Sequence, residues 1–142
     1  MSIRGAQPGD AKEIALLSSQ FGWHASEDEV AARLDLILHR PDHRLLVYPG
    51  EAGQLLGWIH AGVNLIVSSG RYGEVLAFVV RDGERGAGIG GALLAAAEQW
   101  IRGHESHPTS IVIRCNNERT RTHAFYVRHG YDITMIGLRK AI

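Results

Sequence analysis

Apolar residues in this chain recur at two spacings, and the alternation between them marks out its elements. Ile3 to Ala6 reads as a short first strand. Pro8-Gly9-Asp10 opens a helix, because proline suits a first turn and aspartate its positive end. Ile14, Leu17 and Phe21 recur at helical spacing, and Gly22 stops the run. Ser26 and Glu29 fit a capping box before a second helix with Val30, Leu34, Ile37 and Leu38 on one face, ended by Pro41. Arg44 to Tyr48 and Gln54 to Ala61 are β-rich runs around the turn residues 49–53, which predicts a hairpin. Tyr72 to Val80 reads as a fourth strand. After a glycine-rich stretch, Ala92 to Ile101 reads as a helix closed by Gly103. Ser110 to Cys115 reads as a strand, Asn116-Asn117 as the cap of a last helix carrying Ala124, Phe125 and Val127, and Tyr131 to Leu138 as a final strand. Strands alternating with helices predict one α/β domain over residues 1–142.

Composition narrows the classes open to it. The chain has 142 residues, 45% hydrophobic and 21% charged, which excludes disorder and coiled coil. Fifteen basic residues balance fifteen acidic ones, so nothing points to nucleic acid or a membrane as partner. Cys115 is the single cysteine, so no disulfide within the chain and no cysteine zinc site is expected. The first residues carry no apolar signal run and no stretch reaches the length of a membrane span, which points to the cytoplasm. His104-Glu105 and His107 fall one residue short of a zinc-binding helix motif, and Pro41 separates His39 from His43, so no metal is expected.

The chemistry gathers where the glycines do. Five glycines fall within residues 83–91, directly before a helix. Glycine lets backbone N–H groups turn inward, and a helix N-terminus adds partial positive charge, so such a turn cradles phosphate. A P-loop would end in Gly-Lys-Ser/Thr, but Gly90-Gly91-Ala92 stands there. Gly86, Gly88 and Gly91 satisfy the dinucleotide pattern G-x-G-x-x-G. Its supporting acid is missing, because the next strand ends in Arg114-Cys115.

Arg85-Gly86-Ala87-Gly88-Ile89-Gly90 resembles the R/Q-x-x-G-x-G/A loop of the GNAT, or Gcn5-related, N-acetyltransferases. His123-Ala124-Phe125-Tyr126 followed by Gly130-Tyr131 resembles that family's second signature, and the element order is also similar. Within the family the chain looks most like small bacterial members near the aminoglycoside and aminoalkylphosphonate N-acetyltransferases. The resemblance there rests on Gly73-Glu74-Val75, on Arg119 and His123 before Phe125-Tyr126, and on Lys140. Thr122, where relatives carry Ala, and the linker 103–108 depart from the pattern.

The resemblance implies a mixed central β-sheet whose fourth and fifth strands splay apart, flanked by four helices. It implies acetyl-CoA as co-substrate, no metal, and a small-molecule primary amine as acceptor. The loop of Arg85, Gly86, Ala87, Gly88, Ile89, Gly90 and Gly91 would hold the pyrophosphate. Phe78, Val79 and Val80 would pair with the pantetheine arm, with Asn117 also on the cofactor. Tyr126 would protonate the leaving thiolate; packing on the helix face is its other reading. Glu74 is a base or an anchor for a cationic amine, or else a solvated strand charge. Phe21, Trp23, His24 and Tyr72 lie in the segments expected to form the acceptor pocket, 21–24 between the first helices and 66–72 between the third and fourth strands. Dimers are common in the family, so a homodimer is allowed. Two alternatives stand beside this reading: a protein N-terminal or lysine acetyltransferase, and a non-catalytic acyl-CoA-binding sensor.

Overall fold

The computed structural model describes residues 2–84, 86–115 and 120–142. The fold is α/β, with a five-stranded mixed sheet and four helices. It divides into two compact units, Met1–Val112 and Ile113–Ile142.

The first unit runs β1 (Arg4–Gly5), a 3-10 turn (Pro8–Asp10), α1 (Ala11–Ser19), α2 (Glu27–Leu38), β2 (His43–Pro49), β3 (Leu55–Ile66), β4 (Gly70–Val80) and α3 (Ile89–Arg102). β5 (Ile111–Ile113) comes next, at its boundary. The sheet order is β1-β2-β3-β4-β5; the first four pair antiparallel, and β5 runs parallel to β4. Gly73 N–H donates to Ser110 O at 2.8 Å and Thr109 N–H to Arg71 O at 3.2 Å, so this junction lies at the start of β4. β5 has three residues against eleven in β4.

Local signals explain the helices. Asp10 accepts from Gln7 N–H at 2.8 Å and takes two guanidinium bonds from Arg4, which ties β1 to the start of α1. Gly22 holds φ +85° after α1, a conformation that glycine adopts without a Cβ penalty. Ser26 Oγ accepts from Glu29 N–H and Glu29 Oε1 from Ser26 N–H, both at 3.1 Å, so the expected capping box starts α2.

Two apolar layers sandwich the sheet. On one face Ile14 and Leu17 of α1 and Leu34 of α2 cluster with Leu45, Val47, Trp58 and Val79. On the other lies α3, with Leu93, Leu94, Ala97 and Ile101 at no more than 1% exposure. Burying each of these leucines contributes roughly 1.5–3 kcal/mol.

The structure corrects three expectations from the sequence. β3 continues to Ile66 and β4 begins at Gly70, so residues 66–72 form the tip of a long hairpin with only 67–69 as its turn. Gly62 and Asn64 dilute the apolar pattern there, yet they pair with Glu74 and Tyr72, and the ladder carries the strand on. α3 begins at Ile89, three residues before the apolar stripe suggests, so Gly90 and Gly91 are helical. The final strand over 131–138 does not form. Its alternation slips phase between Met135 and Ile136, Gly137 weakens its last residues, and Ile133, Met135, Ile136 and Leu138 are all exposed.

Within the second unit, α4 (Thr120–Arg128) ends in a Schellman turn. Tyr131 N–H donates to Tyr126 O at 3.1 Å, Gly130 N–H to Val127 O at 3.1 Å, and Gly130 takes φ +91°. Among the described residues, no helix is long and apolar enough to cross a membrane.

Candidate active site

The end of β4 is anchored before the glycine turn begins. Arg81 N–H donates to Leu56 O at 2.8 Å, Arg81 Nε to Leu55 O at 2.8 Å and Arg81 Nη2 to Glu13 Oε2 at 2.6 Å. Glu13 Oε2 also accepts from Leu55 N–H, and Gln20 Oε1 from Asp82 N–H at 3.1 Å. These bonds fix the root of the turn to α1 and β3. Gly83, Gly86 and Gly88 then take φ of +85°, +89° and +82°. Among the described residues, and apart from each glycine's own chain neighbours, no atom stands within 4 Å of where a Cβ would lie on any of the three, so the space before this backbone is open. Gly88 O accepts Ala92 N–H at 3.1 Å and so starts α3, 14 residues long. The N–H groups of its first turn have no partner within the helix, which makes this end suited to an anion. Ala87 is exposed here, and the Ile89 side chain is buried in the core at 4% exposure. Arg85 and Asn117 lie outside the described residues.

β4 carries the remaining candidates of the first unit. Phe78, Val79 and Val80 pair with Ile59, Trp58 and Gly57. Val79 is buried, and Phe78 and Val80 are half-buried. The register shifts between His60 and Ala61, opposite Ala77 and Val75, leaving Leu76 as an extra residue on β4. This bulge puts Glu74 and Phe78 on opposite faces, although four residues of regular strand would put them on the same one. Glu74 therefore shares the α1–α2 face with Trp58 and His60. It is 1% exposed, and Asn64 Nδ2 donates to its Oε1 at 2.8 Å. The solvated-charge reading of Glu74 is thereby overturned. Tyr72, opposite Asn64, is half-buried.

On the same face His43 Nδ1 and His60 Nε2 stand 2.9 Å apart. One ring's N–H donates to the other's lone pair, so at most one of the two rings is protonated. Burial, then the neighbouring His43, lowers the His60 pKa from 6.5 to about 4. His43 is lowered too, by burial and Arg40, partly offset by Asp42.

Beside this pair a cavity of about 250 Å³ opens between α1, α2 and the sheet. Ile14, Val30, Leu34 and Leu45 form its apolar walls, with Trp23, Arg33, Trp58 and His60 also lining it. Trp58 Nε1–H is buried, and nothing among the described residues accepts it. Of the expected acceptor residues, Trp23 lines this cavity, Phe21 packs against the core cluster and His24 is exposed. Sequence reasoning passed over Asn64 and Trp58. Each lies on β3 among apolar neighbours, and only the register with β4 and the helix packing give them a role.

Tyr126 belongs to the second unit. It is half-buried on α4, with edge-on ring contacts to Phe125 at 5.4 Å and Tyr131 at 6.0 Å. His123 on the same helix and Cys115 are half-buried. Among the described residues no group of three His, Cys, Asp or Glu side chains is placed to hold a metal ion.

A family model described as the acetyltransferase (GNAT) family matches residues 11–131. Solved structures share the fold over nearly the whole of both chains. A GNAT family acetyltransferase from Staphylococcus aureus is 24% identical, with TM-score 0.79 and 100% of each chain covered. An aminoglycoside 6'-N-acetyltransferase from Acinetobacter haemolyticus is 18% identical, with TM-score 0.80, covering 100% of this chain and 99% of that one. A glucosamine-6-phosphate N-acetyltransferase from Arabidopsis thaliana is 18% identical, with TM-score 0.85 and coverage of 99% and 97%. Comparison with curated protein sequences finds no match.

Proposed function

The chain belongs to the acetyltransferase (GNAT) family of acyltransferases, and from that premise we propose that it moves an acetyl group from acetyl-CoA directly to a primary amine of a small molecule. Acetyl-CoA supplies the activated acyl group as a thioester. The amine nitrogen bonds to the carbonyl carbon and the C–S bond breaks. One proton leaves nitrogen and one reaches the departing thiolate.

The turn through Gly86 and Gly88 carries this reading. Its positive φ values, the open space before it and the start of α3 directly behind it suit a pyrophosphate. Arg85 and Asn117 would assist from outside the described residues. The backbone of Phe78, Val79 and Val80 would bind the pantetheine arm and offer an N–H to the oxyanion. Glu74 would accept the amine proton; being buried, it would do so through a water. Tyr126 would return a proton to the thiolate. The reading takes residues 1–142 as one domain, in the cytoplasm, with a homodimer allowed.

Gly88→Val tests the turn. It fills the open space with a branched side chain and forces that side chain into a left-handed conformation, at a cost of about 1–2 kcal/mol in stability. By calorimetry the folded variant should lose at least tenfold in acetyl-CoA affinity. Wild-type affinity in the variant would remove the pyrophosphate from this turn, and no binding to the wild type would defeat the whole reading.

A further inference from the structure

The cavity beneath α1 and α2 has a chemistry of its own. Among the described residues its lining is mostly apolar and holds no carboxylate. Among the described lining residues the one ionised side chain, Arg33, is positive and sits at an exposed position paired with Glu29. His60 adds no charge, being neutral and bonded to His43. A polycationic or phosphorylated sugar would bring several ammonium, hydroxyl or phosphate groups to walls that could pair with few of them, and burying unpaired polar groups is costly. A volume of about 250 Å³ is small beside the roughly 300–1,000 Å³ of sites for drug-sized ligands. An engineered cavity of about 150 Å³ holds benzene, so there is room here for one ring with a short arm.

Two polar features orient such a ligand. Trp58 Nε1–H is a buried donor, closed to water and with no acceptor among the described residues; a ligand oxygen that reached it as the indole turned toward the cavity would recover about 1–3 kcal/mol. Trp58, His60, Gly62 and Asn64 succeed one another along one face of β3, and Asn64 holds Glu74. At two residues of strand, Gly62, the partner of Glu74, lies only about 7 Å beyond His60.

We propose that this cavity holds the body of the acceptor, and that the acceptor is a monoamine with an apolar, ring-sized body carrying one oxygen that accepts from Trp58 Nε1–H. The amine end then extends along the sheet face toward Glu74. The proposal rests on the acetyltransferase reading and assigns its substrate class.

Acetylation of tyramine, phenethylamine and kanamycin by the full chain tests it, with acetyl-CoA affinity measured separately by calorimetry. Tyramine and phenethylamine differ by the ring oxygen alone. Tyramine should exceed phenethylamine about tenfold in kcat/KM, and kanamycin should not be turned over. Trp58→Phe keeps an aromatic ring and removes the donor, so the tyramine to phenethylamine ratio should fall to near one through KM. Val30→Trp fills the cavity from α2 and should abolish turnover of both amines while acetyl-CoA still binds. Preference for kanamycin, an unchanged ratio in Trp58→Phe, or no turnover of either amine by a wild type that binds acetyl-CoA would each overturn the proposal. Absence of acetyl-CoA binding by the wild type would instead overturn the acetyltransferase reading. Calorimetry of tyramine against Trp58→Phe would then decide on the cavity alone, equal affinity for both proteins overturning it.

Discussion

Glu74 and Tyr126 are the two side chains asked to move protons, and their surroundings differ. Glu74 is closed off from solvent and held through one oxygen by Asn64, a placement that fixes a carboxylate in direction. Tyr126 is half-buried between two aromatic rings of its own unit. Conservative substitutions separate chemistry from packing. Tyr126→Phe keeps the ring, so single-turnover rates should fall roughly a hundredfold with acetyl-CoA affinity intact. Glu74→Gln keeps the shape and the acceptor toward Asn64, so kcat should fall by a similar factor. A raised KM with unchanged kcat would make Glu74 an anchor rather than a base. The sequence offered both residues through motif resemblance. It could not distinguish a buried carboxylate from a solvated one, since one bulge at Leu76 decides which face the rest of β4 presents.

Among the elements, α3 and the hairpin of β3 and β4 form the unit that aims the glycine turn. The helix comes close because glycines floor it. A Cβ on Gly57 would lie 2.8 Å from Val79 O and 2.9 Å from Leu93 Cδ1, and one on Gly73 would meet the Ile101 side chain. Removing a glycine from a strand usually helps, by lowering the entropy of the unfolded chain. Here overpacking wins, because Val79 O is backbone and Leu93 is fully buried. Gly57→Ala should lower the urea-unfolding free energy by about 1–3 kcal/mol. A neutral or stabilising result would mean that α3 can slide away from the sheet. The sequence marked α3 by its stripe of Leu93, Leu94, Ala97 and Ile101, yet not the glycines opposite, since nothing local distinguishes a glycine needed for close approach from one in a turn.

At the scale of the whole molecule, the histidine pair couples stability to pH. With the folded pKa of His60 at about 4 against 6.5 unfolded, the unfolded chain binds the extra proton between those values. Stability therefore holds above about pH 6.5 and falls as pH drops toward 4, by up to roughly 3 kcal/mol from this residue. Asp10 is pushed up by burial, but the bonds from Arg4 and Gln7 outweigh this and leave it below 3.8, so its contribution is lost only in more acid solution. Urea-unfolding free energies between pH 7.5 and about 4.5 should decline for the wild type and much less for His60→Gln, which does not titrate. Parallel declines would show that the pair carries no such linkage.

By itself the sequence determined the features that act over a few residues: the helix faces, the Ser26–Glu29 cap, the turn at Gly86 and Gly88 and the alternation of strands and helices. Each is governed by neighbours within about a turn or a strand pair, so the spacing of residue types suffices. Tertiary structure alone decided the rest. The ladder with β4 extended β3 through Gly62 and Asn64, which no local preference favours. The bulge at Leu76 turned Glu74 to the face of Trp58 and His60, and α1 and α2 closed over that face to leave the cavity. Burial, register and enclosure are made by groups far apart in the chain, and their positions are fixed only when the whole sheet and its helices come together.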